Sequence, residues 1–130
     1  MKYTKRRNWK YLVHEDERYE TGIEIPCKIA TEYLMMGPDG LLLIHKGYAW
    51  DGASGPTIDT KNTMLGSLVH DALYQLMREG YLDIEHRKRA DELLRDIMIS
   101  KGMAKFRARI WYRAVRKAAR KSARSNVLTA

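Results

Sequence analysis

Cysteine is almost absent from this sequence: Cys27 stands alone among 130 residues. A lone cysteine cannot form an internal disulfide, so the fold has to rest on side-chain packing, as is usual in reducing compartments. Cys27 follows Pro26 in a β-prone stretch, and we expect it to be a buried small apolar residue rather than a nucleophile.

Long hydrophobic runs are missing as well. No segment approaches the roughly 18 consecutive apolar residues that a membrane-spanning helix needs. The first thirteen residues have a basic start but lack the apolar centre of a secretory signal. With 45% hydrophobic and 31% charged residues, the composition is that of a globular protein. We predict a single domain over 1–130, without a transmembrane segment or signal peptide, in the cytoplasm.

Acidic residues are missing from both ends of the chain. Residues 103–124 contain nine bases and no acid, and residues 1–10 contain five bases and no acid. The net charge is +8, yet the remaining residues carry sixteen acids against ten bases. We predict that the two basic ends bind an anionic partner, the C-terminal segment above all, with a solvated helix face as the alternative. The residues expected to bind it are Arg109, Arg113, Arg116, Lys117 and Arg120.

Three kinds of anionic partner fit this segment: a phospholipid or anionic membrane surface, a nucleic acid, or an acidic protein. The segment does not carry the interleaved aromatic residues on which nucleic-acid bases stack. The membrane surface is therefore favoured over nucleic acid.

Short β-prone runs dominate residues 1–47, among them Tyr11–Val13 and residues 23–25. Pro38-Asp39-Gly40 stands between two apolar runs, a combination typical of a β-hairpin. The sequence thus predicts a small antiparallel sheet in this N-terminal part.

Residues 48–121 contain a Gly-rich loop and three predicted helices, at about 60–80, 83–101 and 104–121, and residues 122–130 are expected to fray. Gly80 and Gly102 follow the first two helices, where a positive φ is often needed. The fold class is therefore α+β. The third helix is expected to bury Phe106, Ile110, Trp111, Ala114, Val115 and Ala118.

His70 and Asp71 are adjacent on the first helix, so their side chains point about 100° apart and should serve different tasks. Asp91 lies on the second helix. If the two helices pack antiparallel, His70 and Asp91 lie at heights that agree within about one turn. Asp91 can then bind one ring nitrogen of His70, fix its tautomer and leave the other nitrogen free as a base.

The Gly-rich loop contains Asp51, followed by Gly52 and then Ser54-Gly55-Pro56. Asp51 and Asp71 together provide hard oxygen ligands of the kind that calcium prefers. Gly52 allows a backbone N–H to approach a developing oxyanion closely.

These residues resemble the phospholipase A2 superfamily. His70-Asp71-Ala72-Leu73-Tyr74 matches its H-D-x-x-Y signature, and residues 50–56 are similar to the short calcium loop of its bacterial and fungal members. Residues 89–94 and 111–115 resemble parts of its later helices. The resemblance covers roughly residues 48–117. The whole chain also resembles small phage- and prophage-encoded proteins of unknown function, through W-D-G-A-S and H-D-x-L-Y.

The resemblance implies a three-helix phospholipase A2-like core and a calcium-dependent ester hydrolase encoded by a phage. His70 would activate a water, Asp91 would hold His70, and Tyr74 would hydrogen-bond to Asp91. Calcium would be bound by Asp71, Asp51 and the carbonyl of Gly52. Ala53 and Val69 stand where secreted relatives would carry cysteines. The implied location is the host cytoplasm or the phage virion, with virion proteins as further partners.

Two other classes of function stay open. The first is a non-catalytic phage structural or interaction protein that keeps the fold. The second is a hydrolase of different chemistry, in which Ser54 is the nucleophile or in which His70, Asp71 and Asp91 bind a transition metal. Ser54 lacks a G-x-S-x-G motif, and no further upstream helical histidine precedes His70 between residues 46 and 69.

Overall fold

Residues 3–5, 11–50 and 61–118 are described by the structure, a computed structural model. The chain divides into two compact units, Met1–Gly52 and Ala53–Ala130. The described strands all belong to the first unit and the described helices to the second. The protein is therefore α+β, which confirms the predicted fold class; the assignment of 1–130 to one domain stays a prediction.

In the described part of the chain, seven short strands form two antiparallel sheets, where the sequence predicts one. The first sheet has the order β1-β2-β7 and the second has the order β3-β6-β5-β4. Both edges of β6 are paired, so β7 has no place beside it and pairs with β2 instead. The strands are β1 Tyr3–Lys5, β2 Tyr11–Val13, β3 Glu17–Glu20, β4 Ile29–Ala30, β5 Leu34–Met36, β6 Leu41–Ile44 and β7 Ala49–Trp50.

The predicted hairpin is confirmed as β5 and β6, with Met36 opposite Leu42. The Asp39 carboxylate accepts a hydrogen bond from the backbone N–H of Leu41 at 3.2 Å. Gly40 has a φ of 97°, and a Cβ there would lie 2.7 Å from the backbone oxygen of Ile23. This turn therefore needs glycine for both conformation and space.

Two local predictions in this unit were wrong, and one strand forms without a local apolar pattern. Residues 23–25 form no strand; both isoleucines are buried, but Ile25 makes one isolated backbone hydrogen bond, to Pro38 at 3.1 Å. Glu17–Glu20 is a strand although it lacks apolar alternation, because pairing with β6 supplies its hydrogen bonds. Cys27 is exposed rather than buried.

Residues 61–118 of the second unit form three α-helices: α1 Lys61–Arg78, α2 Arg87–Ser100 and α3 Lys105–Ala118. Gly80 and Gly102 have φ values of 82° and 102°, as expected after helix ends. Asp83 caps a 3₁₀ turn that precedes α2, accepting a hydrogen bond from Glu85 N–H at 2.8 Å. Within the described residues, no helix combines the length and the apolar character needed to cross a bilayer.

Helices α1 and α2 approach closely at Gly66. A Cβ at Gly66 would lie 3.2 Å from Leu94 Cδ1 and 3.3 Å from Met98 Cγ. Helices α2 and α3 share a buried cluster of Leu94, Met98, Met103, Ala108, Trp111 and Val115. These two contacts set the positions of the three helices relative to one another.

The predicted buried face of α3 was wrong in part. Phe106 and Ile110 are 69% and 46% exposed. The side of α3 that packs on α2 is instead marked by Ala108, Trp111 and Val115. The two exposed residues lie on the opposite side of the helix, because each is two positions from Ala108, a rotation of about 200°.

Candidate functional site

Two side chains of α1 bind the same carboxylate oxygen of a residue on α2. His70 and Tyr74 lie one turn apart on α1, and Asp91 lies on α2. Asp91 Oδ1 is 2.7 Å from His70 Nε2 and 2.6 Å from the Tyr74 hydroxyl. Asp91 is completely buried and His70 is 6% exposed. The imidazole and the phenol ring also lie in contact, with centroids 4.2 Å apart and planes tilted by 32°.

This geometry decides the roles of the two ring nitrogens of His70. An ionised carboxylate can only accept hydrogen bonds, so Nε2 carries the proton donated to Asp91. In the neutral ring Nδ1 is then the nitrogen with a lone pair. It lies 3.7 Å from Asp71 Oδ1, which is longer than a hydrogen bond. The neutral imidazole therefore has a basic nitrogen next to a carboxylate whose side chain is 34% exposed.

The second oxygen of Asp91 connects to the third helix. Arg116 on α3 donates from Nη1 to Asp91 Oδ2 at 2.9 Å, and Arg87 Nη1 lies 3.7 Å from the same oxygen. Arg87 also donates to the backbone carbonyl of Arg116 at 3.3 Å. Asp91 thus connects α1, α2 and α3 through a single buried side chain.

The surroundings shift the pKa of each group in a direction that preserves this arrangement. Burial raises the pKa of Asp91, but the hydrogen bonds from His70, Tyr74 and Arg116 and the charge of His70 outweigh it, so the pKa lies below 3.8. Burial and then Asp91 raise the pKa of Tyr74 above 10.0, so its hydroxyl stays protonated as a donor. Burial lowers the pKa of His70, yet Asp71 and Asp91 together raise it above 6.5.

Tyr74→Phe is expected to lower the free energy of unfolding by about 1.5–3 kcal/mol, because it removes a hydrogen bond to a buried charged group. Urea denaturation measures this change. Tyr81→Phe is the matched control: Tyr81 is 53% exposed, so its loss of a hydroxyl should have an effect within about 0.5 kcal/mol. Equal stability of the two variants would show that the Tyr74 hydroxyl contributes nothing to the cluster.

The predicted calcium loop lies outside the described residues. Asp51, Gly52, Ser54 and Arg120 all belong to that part of the chain, so the structure describes Asp71 alone among the predicted calcium ligands. Within residues 11–50 and 61–118, no three His, Cys, Asp or Glu residues are grouped so as to hold a metal ion. Asp71 and Asp91 lie next to different ring nitrogens of His70, Nδ1 and Nε2, and the transition-metal alternative stays a prediction.

The predicted anion-binding residues of α3 fall into two groups. Arg109, Arg113 and Lys117 are exposed. Arg116 is only partly exposed, and its guanidinium is paired with Asp91. The sequence carries one signal for this pairing: counted outward from Gly102, Asp91 and Arg116 lie at heights that agree within about one helical turn.

The fold and site define an α+β protein in which His70, Tyr74 and Arg116, from two helices, bind the buried Asp91 of a third. The family described as "Protein of unknown function (DUF1353)" matches residues 27–115. The chain belongs to this family, whose match covers part of the strand-rich unit as well as all three members of the His70 cluster on α1 and α2. Comparison with curated proteins and with solved structures gave no match.

Proposed function

We propose that the protein is a phospholipase A2-like ester hydrolase that uses His70 as its general base. One observation carries the proposal: the buried carboxylate of Asp91 binds His70 Nε2 at 2.7 Å and thereby leaves Nδ1 as the basic nitrogen. A base whose tautomer is fixed by a carboxylate is the usual arrangement for activating water. The H-D-x-x-Y spacing adds the resemblance in sequence.

In this proposal His70 transfers a single proton. Nδ1 takes a proton from a water molecule while the water oxygen attacks the carbonyl carbon of the ester. Asp91 stabilises the imidazolium that forms, and Tyr74 holds Asp91 in place. As the bond to the leaving oxygen breaks, Nδ1 returns the proton to that oxygen, so the products are a carboxylic acid and an alcohol.

Calcium belongs to the same proposal. Asp71 supplies a hard carboxylate oxygen of the type calcium binds, on the side of His70 where Nδ1 lies. The other ligands in the proposal, Asp51 and the carbonyl of Gly52, lie outside the described residues. When bound, calcium would supply positive charge to polarise the ester carbonyl.

Fatty-acid release from phospholipid vesicles tests both parts of this proposal. With calcium present we expect turnover, and a chelator should reduce it to background. Asp71→Asn is expected to raise the calcium concentration needed for half-maximal activity on the order of tenfold, since affinity depends on ligand charge. Asp96→Asn is the control, because Asp96 is paired with Arg95 on the surface of α2.

Unchanged turnover in chelator would contradict the calcium role and favour the version that uses Ser54. Absence of turnover under all conditions would contradict the hydrolase proposal itself.

A second candidate is a non-catalytic structural or interaction protein, such as a component of a phage particle. A specific observation favours it: both oxygens of the buried Asp91 are bonded, and the bonds join three helices. A cluster built only for stability would have this form. Detection of the protein in purified phage particles, together with no turnover in the vesicle assay, would support this candidate over the hydrolase.

A further inference from the structure

The face of α3 that points away from the core carries two parallel rows of side chains. Successive residues of a helix are rotated by about 100°, so residues four apart form nearly continuous rows. Ala108, Trp111 and Val115 define the buried side of α3. On the opposite side, one row contains Phe106 and Ile110, and a neighbouring row is formed by Arg109, Arg113 and Lys117.

The first row is apolar and open to solvent. Phe106 is 69% exposed and Ile110 is 46% exposed, one helical turn apart. Single exposed apolar residues are common on protein surfaces, but an exposed phenylalanine and isoleucine on adjacent turns form a continuous apolar surface. Removing this surface from water would be favourable.

The second row is basic. Arg109, Arg113 and Lys117 are all exposed, and no acidic residue occurs anywhere in α3. Arg116, by contrast, is turned to Asp91 at 2.9 Å and belongs to the buried cluster. The exposed charge of α3 is therefore concentrated on the same side as Phe106 and Ile110.

We propose that this face of α3 docks on an anionic lipid bilayer, with Phe106 and Ile110 inserted between headgroups and the basic row paired with lipid phosphates. Apolar side chains next to Lys and Arg on one helix face are what a helix lying in the membrane interface requires. A nucleic acid would bind through the basic row alone and would leave Phe106 and Ile110 in water. The charge complementarity and the apolar row together thus select lipid.

This docking surface does not depend on the proposed hydrolase activity. It involves no member of the His70 cluster, and it would hold equally for a non-catalytic protein that binds membranes. If the hydrolase proposal is correct, the same surface would bring the protein to its substrate.

Co-sedimentation of the full chain with vesicles tests the proposal. We expect binding to vesicles that contain phosphatidylglycerol and little binding to pure phosphatidylcholine. Phe106→Ser combined with Ile110→Ser is expected to weaken binding at least about tenfold. Arg109→Gln, Arg113→Gln and Lys117→Gln together are expected to weaken it by about fivefold per charge.

Matched controls exist for both variants. Tyr81 and Ile84 are 53% and 45% exposed, so replacing both with serine removes a similar apolar surface outside α3. Replacing the exposed residues Arg18, Lys28 and Lys46 with glutamine lowers the net charge by the same three units. Both control proteins should bind vesicles within about twofold of wild type, because non-specific charge and exposed area are then matched.

Phe106→Trp gives a direct measure of insertion. Its added fluorescence should shift to the blue on binding phosphatidylglycerol vesicles, whereas that of Tyr81→Trp should not. Failure of the wild-type chain to bind these vesicles would overturn the proposal. So would binding that is lost in the triple basic variant but kept when Phe106 and Ile110 are serine, with duplex DNA bound equally well, because that result indicates a general polyanion site.

Discussion

Replacing Asp91 with alanine is expected to lower the free energy of unfolding by about 3–5 kcal/mol, because it removes one partner of a buried charge cluster. Asp91 is 0% exposed and accepts hydrogen bonds from His70, Tyr74 and Arg116. Arg116 is 30% exposed and can turn toward water, but His70 and Tyr74 would keep buried polar atoms without this acceptor. Urea denaturation of the variant and the wild type measures the difference.

Asp96→Ala is the matched control for this experiment. Asp96 lies on the same helix and is paired with Arg95 at 2.9 Å, but its side chain is 47% exposed. Its replacement should cost no more than about 1 kcal/mol, as exposed ion pairs contribute little. Equal losses in the two variants would contradict the central role given to Asp91.

The effect of Asp91 also depends on pH, in a direction set by its lowered pKa. A carboxyl that is more acidic in the folded state stabilises the fold above its unfolded pKa, and this contribution is lost as the pH falls through the folded value. The contribution of this carboxylate to the stability difference between wild type and Asp91→Asn should therefore be complete above its unfolded pKa. Because Asp91 also helps to raise the pKa of His70, the difference should grow as the pH falls through the range in which His70 titrates. Below about 3.8 it should shrink.

His70→Gln is expected to reduce kcat for ester hydrolysis by about 10²–10⁴-fold, the range that general-base catalysis contributes. Glutamine can still donate a hydrogen bond to Asp91, so the helices should remain joined. It has no nitrogen that can accept a proton near neutral pH. Initial rates of fatty-acid release at saturating substrate measure this loss, and a denaturation curve taken in parallel shows whether the fold is kept.

His86→Gln is the matched control for the His70→Gln activity measurement. His86 lies in the 3₁₀ turn before α2, pairs only loosely with Glu85 at 3.5 Å and has no place in the cluster. Its activity should equal that of the wild type. A His70→Gln protein that folds and turns over normally would contradict the general-base role. A His70→Gln protein that unfolds would instead support the structural candidate.

The sequence predicts the centre of the site because helices obey simple geometry. Apolar residues at three- and four-residue steps define α1 and α2, and the short connection between them requires antiparallel packing. Heights counted at about 1.5 Å per residue then place Asp91 opposite His70. The 2.7 Å contact between His70 and Asp91 is therefore predictable from helix geometry and the short connection alone. The β5–β6 hairpin is predictable for a similar reason, since Pro38-Asp39-Gly40 encodes the turn locally.

Other features were not predictable because they depend on tertiary choices. Apolar residues of α3 occur on several sides of the helix, so the pattern alone cannot say whether Phe106 or Ala108 faces the core. An arginine in a run of bases looks solvated, and only the packing of α2 on α3 places Arg116 against Asp91. The β3 strand has the polar sequence ERYE, and its partner β6 decides its conformation.

The geometry of the site depends on the close approach of α1 to α2 at Gly66. Its missing methyl group would lie 3.2 Å from the backbone oxygen of Leu94, an atom that cannot move without moving α2. His70 is one turn along α1 from Gly66, and its hydrogen bond to Asp91 is 2.7 Å long. A displacement of α1 by a few tenths of an ångström would lengthen that hydrogen bond and weaken it. The absence of a side chain at Gly66 therefore determines how closely α1 approaches α2, and with it the length of the hydrogen bond that holds the imidazole.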